Sequence, residues 1–277
     1  MELISFIKVV ILGMFEGLTE FAPVSSTGHM IIVDDMWLHS HEFLGASVAN
    51  TFKVVVQLGS ILAVVVVFKD RFVQLLGLDT NGNGGKLKAG GLKLSHILVG
   101  LIPAAALGFL VEDYIDQYLF TIETVMVGLL LGSFLMIIAD KSSNSLNRTQ
   151  TVDQMTYRQA LVIGTIQCFS LWPGFSRSGA TISAGVLVGM SHRAAADFTF
   201  IMAVPIMLGA STLSFIKNIE YFTLSSFPLF LAGFISAFLF AFISIKFFLR
   251  LINKIKLFPF AIYRIVLVGV LFIFYTN

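Results

Sequence analysis

Cysteine is nearly absent: Cys168 is the only one in 277 residues. That excludes an internal disulfide framework and a cysteine-built metal cluster, and leaves Cys168 to be read as a small buried apolar side chain. Charge is scarce too, at 12% of residues with a formal net charge of +2, and no basic run interleaves with aromatics. A nucleic-acid role is therefore excluded. The chain also lacks a basic leader; MELISFIKVVILGMFEG runs straight into Glu16 and Glu20 and reads as part of the mature fold. Nor is there a P-loop, because in the glycine-rich stretch 82–91 Gly85-Lys86 is followed by Leu87 and no glycine stands at position 80.

Hydrocarbon is what the chain has in excess. Hydrophobic residues make up 57% of it, and the mean hydropathy is +0.90, more apolar surface than a soluble interior would hide. Six segments, 54–68, 97–111, 122–139, 197–216, 227–249 and 258–275, are long enough with their flanks to cross roughly 30 Å of hydrocarbon. The 28 phenylalanines are read as lipid-facing or core-facing. Lys53, Lys246 and Arg264 stand close enough to span ends to be read as snorkelling to the interface.

The connections differ in sign. Stretches 69–93, with five Lys/Arg, 140–158, with Lys141, Arg148 and Arg158, and 250–257, with Arg250, Lys254 and Lys256, are basic. Asp34, Asp35 and Glu42 in 34–49, and Glu112, Asp113, Asp116 and Glu123 in 112–123, meet no Lys or Arg. The positive-inside rule places the basic connections in the cytoplasm and the acidic ones outside. The Asn147-Arg148-Thr149 sequon then falls on the cytoplasmic side.

Two apolar pieces interrupted by Pro, Gly, Ser and charge remain, 3–38 and 157–193. Offset by 151 residues, ILGMFEGLTEFAPVSSTGHMI (11–31) overlays VIGTIQCFSLWPGFSRSGATI (162–182) without a gap. Gly13 meets Gly164, Glu16 meets Gln167, Phe21 meets Trp172, Ser25 meets Ser176 and Gly28 meets Gly179. One interrupted segment plus three crossings per copy is an odd number, so the second copy is inverted. The expected fold is an all-α polytopic membrane protein, a single integral membrane domain over 1–277. It would have an inverted-topology repeat, about 1–140 and 155–277, with six spanning helices and two re-entrant helical hairpins. The hairpin tips are expected to meet near the midplane.

Each tip carries its own chemistry. Glu16 and Glu20 are four apart, so on a helix they share a face, where two carboxylates must share a proton, hold a cation, or both. Ser26 and His29, three apart, suit activation of a hydroxyl or water, or direct attack by the imidazole. At the second tip Pro173 and Gly174 break the helix, and a new helix near Ser176 would aim free N–H groups at the break. Arg177 adds a planar cationic fork that suits phosphate oxygens, although in an empty site it can also pair with Glu16 or Glu20. An anion cradle facing an acidic pair favours phosphate ester or anhydride chemistry.

With EGLTEFAPVSSTGH at 16–29 and PGFSRSGAT at 173–181, supported by FKVVVQLGSILAVV (52–65), MTYRQA (155–160) and PFAIYR (259–264), the chain resembles the undecaprenyl-diphosphate phosphatases of the bacitracin-resistance type over nearly its whole length. Only Ala22, where the family has Leu or Ile, departs from the first motif. The resemblance implies hydrolysis of undecaprenyl diphosphate to the monophosphate carrier and inorganic phosphate for peptidoglycan synthesis. It would act in the bacterial cytoplasmic membrane from a site opening outward, with a divalent cation, Mg2+ or Ca2+, as cofactor. Carried over by residue, the catalytic set is Glu16, Glu20, Ser26, His29 and Arg177. The diphosphate-binding set is Ser25, Thr27, Gly174, Ser176, Arg177, Ser178 and Thr181, and the metal ligands are Glu16 and Glu20. The expected partners are the polyprenyl diphosphate and membrane lipids, and a homodimer is compatible with the sequence. The membrane lipid phosphatases with SRxxxxxHxxxD are disfavoured, since their histidine position is Ser183 here. A flippase or anion transporter on the same scaffold is the rival class, against which the acidic pair argues.

Overall fold

The computed structural model describes residues 2–78, 91–119, 121–142, 149–217, 219 and 226–276. The glycine-rich stretch 82–90 and the Asn147-Arg148 part of the sequon lie outside the described residues. Among the described residues the chain is helical and forms no sheet. The helices are α1 (Glu2–Thr19), α2 (Ser26–Val33), α3 (Ser40–Leu44), α4 (Ala46–Val67), α5 (Lys69–Leu75), α6 (Leu94–Tyr118) and α7 (Ile122–Lys141), then α8 (Tyr157–Gln167), α9 (Arg177–Leu187), α10 (His192–Lys217), α11 (Phe227–Ile255) and α12 (Phe258–Thr276). The stretches Leu94–Val111, Ile122–Lys141, His192–Ile216, Phe227–Ile255 and Phe258–Tyr275 are long and apolar enough to cross a membrane, and α4 with its bent continuation α5 makes a sixth. These are the six segments expected from the sequence. The protein is an all-α polytopic membrane protein.

Helices α1, α2, α8 and α9 are not among those candidates. The reason for α2 and α9 is length: at 1.5 Å per residue, 8 and 11 residues reach only about 12 and 16 Å. Helix α1 closes with Thr19 Oγ donating to Phe15 O at 2.6 Å and Glu20 N donating to Glu16 O at 2.9 Å. Pro23 then disfavours helical geometry at the residue before it. In the second copy α8 gives way to a 3-10 turn over Cys168–Leu171, where Ser170 Oγ donates to Gln167 O at 2.6 Å. Trp172, before Pro173, is extended with φ −74° and ψ 118°.

The same backbone device ends both breaks. Ser25 has φ 73° and Ser176 φ 75°, and α2 and α9 each start on the next residue. Positive φ is uncommon outside glycine, so its recurrence at two positions 151 residues apart carries the sequence repeat into the backbone.

Two compact units result, and each draws on both halves of the chain. Unit 1 comprises Met1–Ala22, Ser26–Val67 and Ala203–Phe247; unit 2 comprises Pro23–Ser25, Phe68–Met202 and Phe248–Asn277. In unit 1, α1 lies against α11: Ser236 Oγ donates to Val10 O at 2.7 Å and Ser244 Oγ to Leu18 O at 2.9 Å. A Cβ on Gly13 would come within 2.9 Å of the Ser236 Cβ, and one on Gly233 within 2.5 Å of the Phe52 ring. Small residues let the backbones approach where lipid supplies no hydrophobic drive. Val9, Leu12, Phe52, Val56, Phe230 and Ala237 form the buried core of that contact. In unit 2, Gly164 of α8, the repeat mate of Gly13, faces α6, where an added Cβ would lie 3.0 Å from the Gly100 Cα. In both units, then, the helix leading into the break packs on a long helix from the other half of the chain. Around the outside, Phe109, Phe247 and Phe274 are 83%, 64% and 68% exposed, a surface for acyl chains rather than water.

Candidate active site

On either side of the first break, Glu16, Glu20, Ser26 and His29 of unit 1 supply acids, a hydroxyl and an imidazole. Glu16, in the last turn of α1, is buried at 7% exposure. Glu20 follows one turn later, and its Oε2 accepts a hydrogen bond from Ser26 Oγ at 2.5 Å. His29, buried at 6% exposure, lies on α2 behind Ser26, with Gly28 and Met30 buried beside it. The spacing of Ser26 and His29 suits an imidazole that activates a hydroxyl or water or attacks directly, yet the Ser26 hydroxyl donates to the Glu20 carboxylate. Helical side chains tilt toward the helix N-terminus, so a serine opening α2 reaches back to the end of α1 rather than forward to position 29. Thr27 is half-buried, and Ser25 at the bend is buried.

Unit 2 holds the second break, built around the start of α9. Ser176 caps that helix, its Oγ accepting from Gly179 N at 3.2 Å while lying 3.2 Å from Ser178 Oγ. Thr181 Oγ donates to Arg177 O at 2.8 Å and accepts from Thr199 Oγ at 2.9 Å. Arg177 is half-buried between the buried Ser176 and Ser178. Trp172 Nε1 donates to Thr124 O at 2.9 Å, which ties the break to α7. A Cβ on Gly174, which has φ 88°, would lie 3.0 Å from the Val125 Cα. Only glycine suits both that conformation and that approach. The start of α9 therefore presents hydroxyls, a guanidinium and the positive end of a helix together, the chemistry of an anion site.

One basic residue departs from the sequence expectation. Lys53 pairs with Asp34 at 3.0 Å, and Lys246 is exposed with its Nζ 3.9 Å from the Phe242 ring centroid. Arg264, in contrast, does not snorkel: it is 0% exposed. Its Nη2 donates to Gly174 O at 2.9 Å, Phe175 O at 3.0 Å and Gly128 O at 3.3 Å. Glycines on α7 and α9 make the room, for a Cβ on Gly132 would lie 2.5 Å from Nη2 and one on Gly179 3.2 Å from Nη1. The PFAIYR stretch marked the position, but nothing local in it shows which distant glycines it would meet. Gln167, the repeat mate of Glu16, is 1% exposed, and its amide oxygen and nitrogen have no partner among the described residues. Cys168 is half-buried rather than buried.

Glu16 and Glu20 are the pair expected from the sequence to hold a divalent cation. Among the described residues no group of three or more His, Cys, Asp or Glu is arranged to hold a metal. Two hard carboxylates in consecutive turns match the partial protein ligation of Mg2+, whose remaining ligands come from water and substrate phosphates. One bond from Ser26 does not exhaust Glu20, since a carboxylate offers about four lone-pair sites.

The family model described as bacitracin resistance protein BacA matches residues 9–271. An undecaprenyl-diphosphatase of Geobacillus sp. (strain WCH70) is 68% identical over 275 residues, covering 99% of this chain and all of the relative. The undecaprenyl-diphosphatase of Bacillus subtilis (strain 168) is 57% identical over 267 residues, 96% of this chain and 97% of its own length.

Proposed function

The chain belongs to the bacitracin resistance protein BacA family and hydrolyses undecaprenyl diphosphate, and from that premise we propose that its two broken-helix segments divide the reaction between them. Residues 176–181 with Arg177 bind the diphosphate, and residues 16–29 break the bond. Ser26 Oγ attacks the terminal phosphorus while its proton passes to Glu20; the lipid monophosphate leaves, and water then releases phosphate from Ser26. His29, on the same helix, serves as the acid for the leaving oxygen and as the base for that water. Ser25, Thr27, Gly174 and Ser178 contribute donors around the phosphates, and Thr181, whose hydroxyl is engaged with Arg177 O and Thr199, supports the first turn of α9 beneath them. Glu16 and Glu20 would hold a divalent cation, which when bound would neutralise phosphate charge.

The observation that carries this reading is the bond from Ser26 Oγ to Glu20 Oε2 at 2.5 Å, a nucleophile already joined to its base. It also favours a hydrolase over a carrier, which has no use for an activated hydroxyl. The site is assigned to the outer side of the bacterial cytoplasmic membrane on the strength of the charge asymmetry of the connections.

Purified protein in detergent is tested with a terminally labelled lipid diphosphate, quenched in denaturant at neutral pH, where both phosphoserine and phosphohistidine survive, and mapped. Label on Ser26 is expected. Label on His29, with Ser26→Ala turning over normally, would overturn the assignment. Glu20→Ala and Arg177→Ala are expected to lower phosphate release by about 10²-fold or more.

A further inference from the structure

Arg264 is a fully buried cation with no acidic partner among the described residues. Its bonds go to the carbonyls of Gly128, Gly174 and Phe175 and to the Met136 sulfur at 3.4 Å from Nη1. Its Nε has no partner, and no carboxylate pairs with it among the described residues. An uncompensated charge in such surroundings is costly, so its retention calls for a role that a neutral side chain would not fill.

Its position supplies one. Two of its carbonyl partners, Gly174 and Phe175, are the residues just before Ser176, where the backbone turns to φ 75° to open α9. A Cβ on Gly179 would lie 3.2 Å from Arg264 Nη1 and 3.3 Å from Ser176 Oγ, so the guanidinium and the capping hydroxyl flank the same point on the first turn of α9. We propose that Arg264 is the positioning residue of the anion cradle: it grips the carbonyls at the break so that the first N–H groups of α9 are aimed, and it lends that turn a second positive charge from behind. It acts through the backbone of 174–179 and does not touch substrate. The diphosphate brings the anionic charge that the protein withholds from it. The inference rests on the reading that 176–181 binds the diphosphate.

The experiment measures kcat and KM for the lipid diphosphate in detergent, together with the thermal midpoint, for Arg264→Lys, Ser176→Ala, the double variant and Arg177→Ala. Donors aimed at a transition state lower kcat more than they raise KM when displaced. For folded Arg264→Lys, kcat is expected to fall at least about ten-fold with a small change in KM, and its effect to be less than multiplicative with Ser176→Ala, because both act on one turn. A residue that only holds the fold gives multiplicative effects. If Arg264→Lys does not fold, Gly179→Ala decides, since its Cβ presses on both Nη1 and Ser176 Oγ and leaves Arg264 in place. Wild-type kcat in the deciding variant, or multiplicative losses with Ser176→Ala, overturns the proposal. Full turnover by Arg177→Ala instead overturns the cradle reading beneath it.

Discussion

Asp34 shows how one carboxylate is kept ionised in a dry setting. It is 0% exposed, and burial alone pushes its pKa up. That push is outweighed by the Ser40 hydroxyl at 2.7 Å, the Ser40 amide at 2.8 Å and the Lys53 ammonium at 3.0 Å, so the pKa is held below 3.8. A depressed pKa means that the folded protein binds the proton less readily than the unfolded chain. The carboxylate's contribution is therefore complete above 3.8 and is lost as the pH falls through the lower folded value. Asp34→Asn is expected to have a lower thermal midpoint at neutral pH and a flatter decline between about pH 5 and 3. Parallel declines in the two proteins would show that Asp34 contributes nothing to acid stability. From the sequence the acidic connection was read as an outside marker and Lys53 as a residue near a span end. Their pairing was not, because it depends on the turn after α2 bringing position 34 back over α4. Arg264 was misread for a related reason: charge and distance from a span end do not reveal that Gly128, Gly132 and Gly179 open a slot for it.

At the level of the helix, α12 depends on a carboxylate that is not its own. Asp140, at the end of α7, accepts from Leu257 N at 2.9 Å and Phe258 N at 2.7 Å, and its other oxygen lies 2.6 Å from His192 Nε2. It thus caps the start of α12 from 117 residues away in sequence while joining the start of α10 to the same point. First-turn amides have no partner within their own helix, and leaving them bare in a half-buried place costs about 1–3 kcal/mol. Asp140→Ala is therefore expected to lower the thermal midpoint in detergent by several degrees and to speed amide exchange at Leu257 and Phe258. Turnover per folded molecule should stay near wild type, since Asp140 has no part in the chemistry. An unchanged midpoint would mean that water replaces the carboxylate at no cost. Both helix breaks were legible beforehand, because Pro, Gly and Ser in an apolar run act locally. Remote caps such as this one leave no local trace.

Over the whole molecule the strongest sequence signals were hydropathy and repetition, and both survive in the structure: six candidate spans where six were read, and paired serines at positive φ where the two segments were overlaid. What the overlay did not reveal is that the compact units mix the halves, since similarity between two segments carries no information about which helix each one packs on. Orientation is the remaining property of the whole, and the charge of the connections carries the proposal for it: those with Lys and Arg in the cytoplasm, the acidic ones outside. Glu42 and Lys254 are both exposed and lie on connections of opposite sign, which makes them reporters. In a Cys168→Ala background, Glu42→Cys is expected to react with a membrane-impermeant maleimide on intact cells, and Lys254→Cys only after the membrane is opened. Because Cys168 is the only native cysteine, every label reports an introduced position. The reverse pattern would turn the protein over in the membrane and move the proposed outward-facing site to the cytoplasmic side, where a lipid diphosphate presented from outside would have to be flipped before it could be hydrolysed.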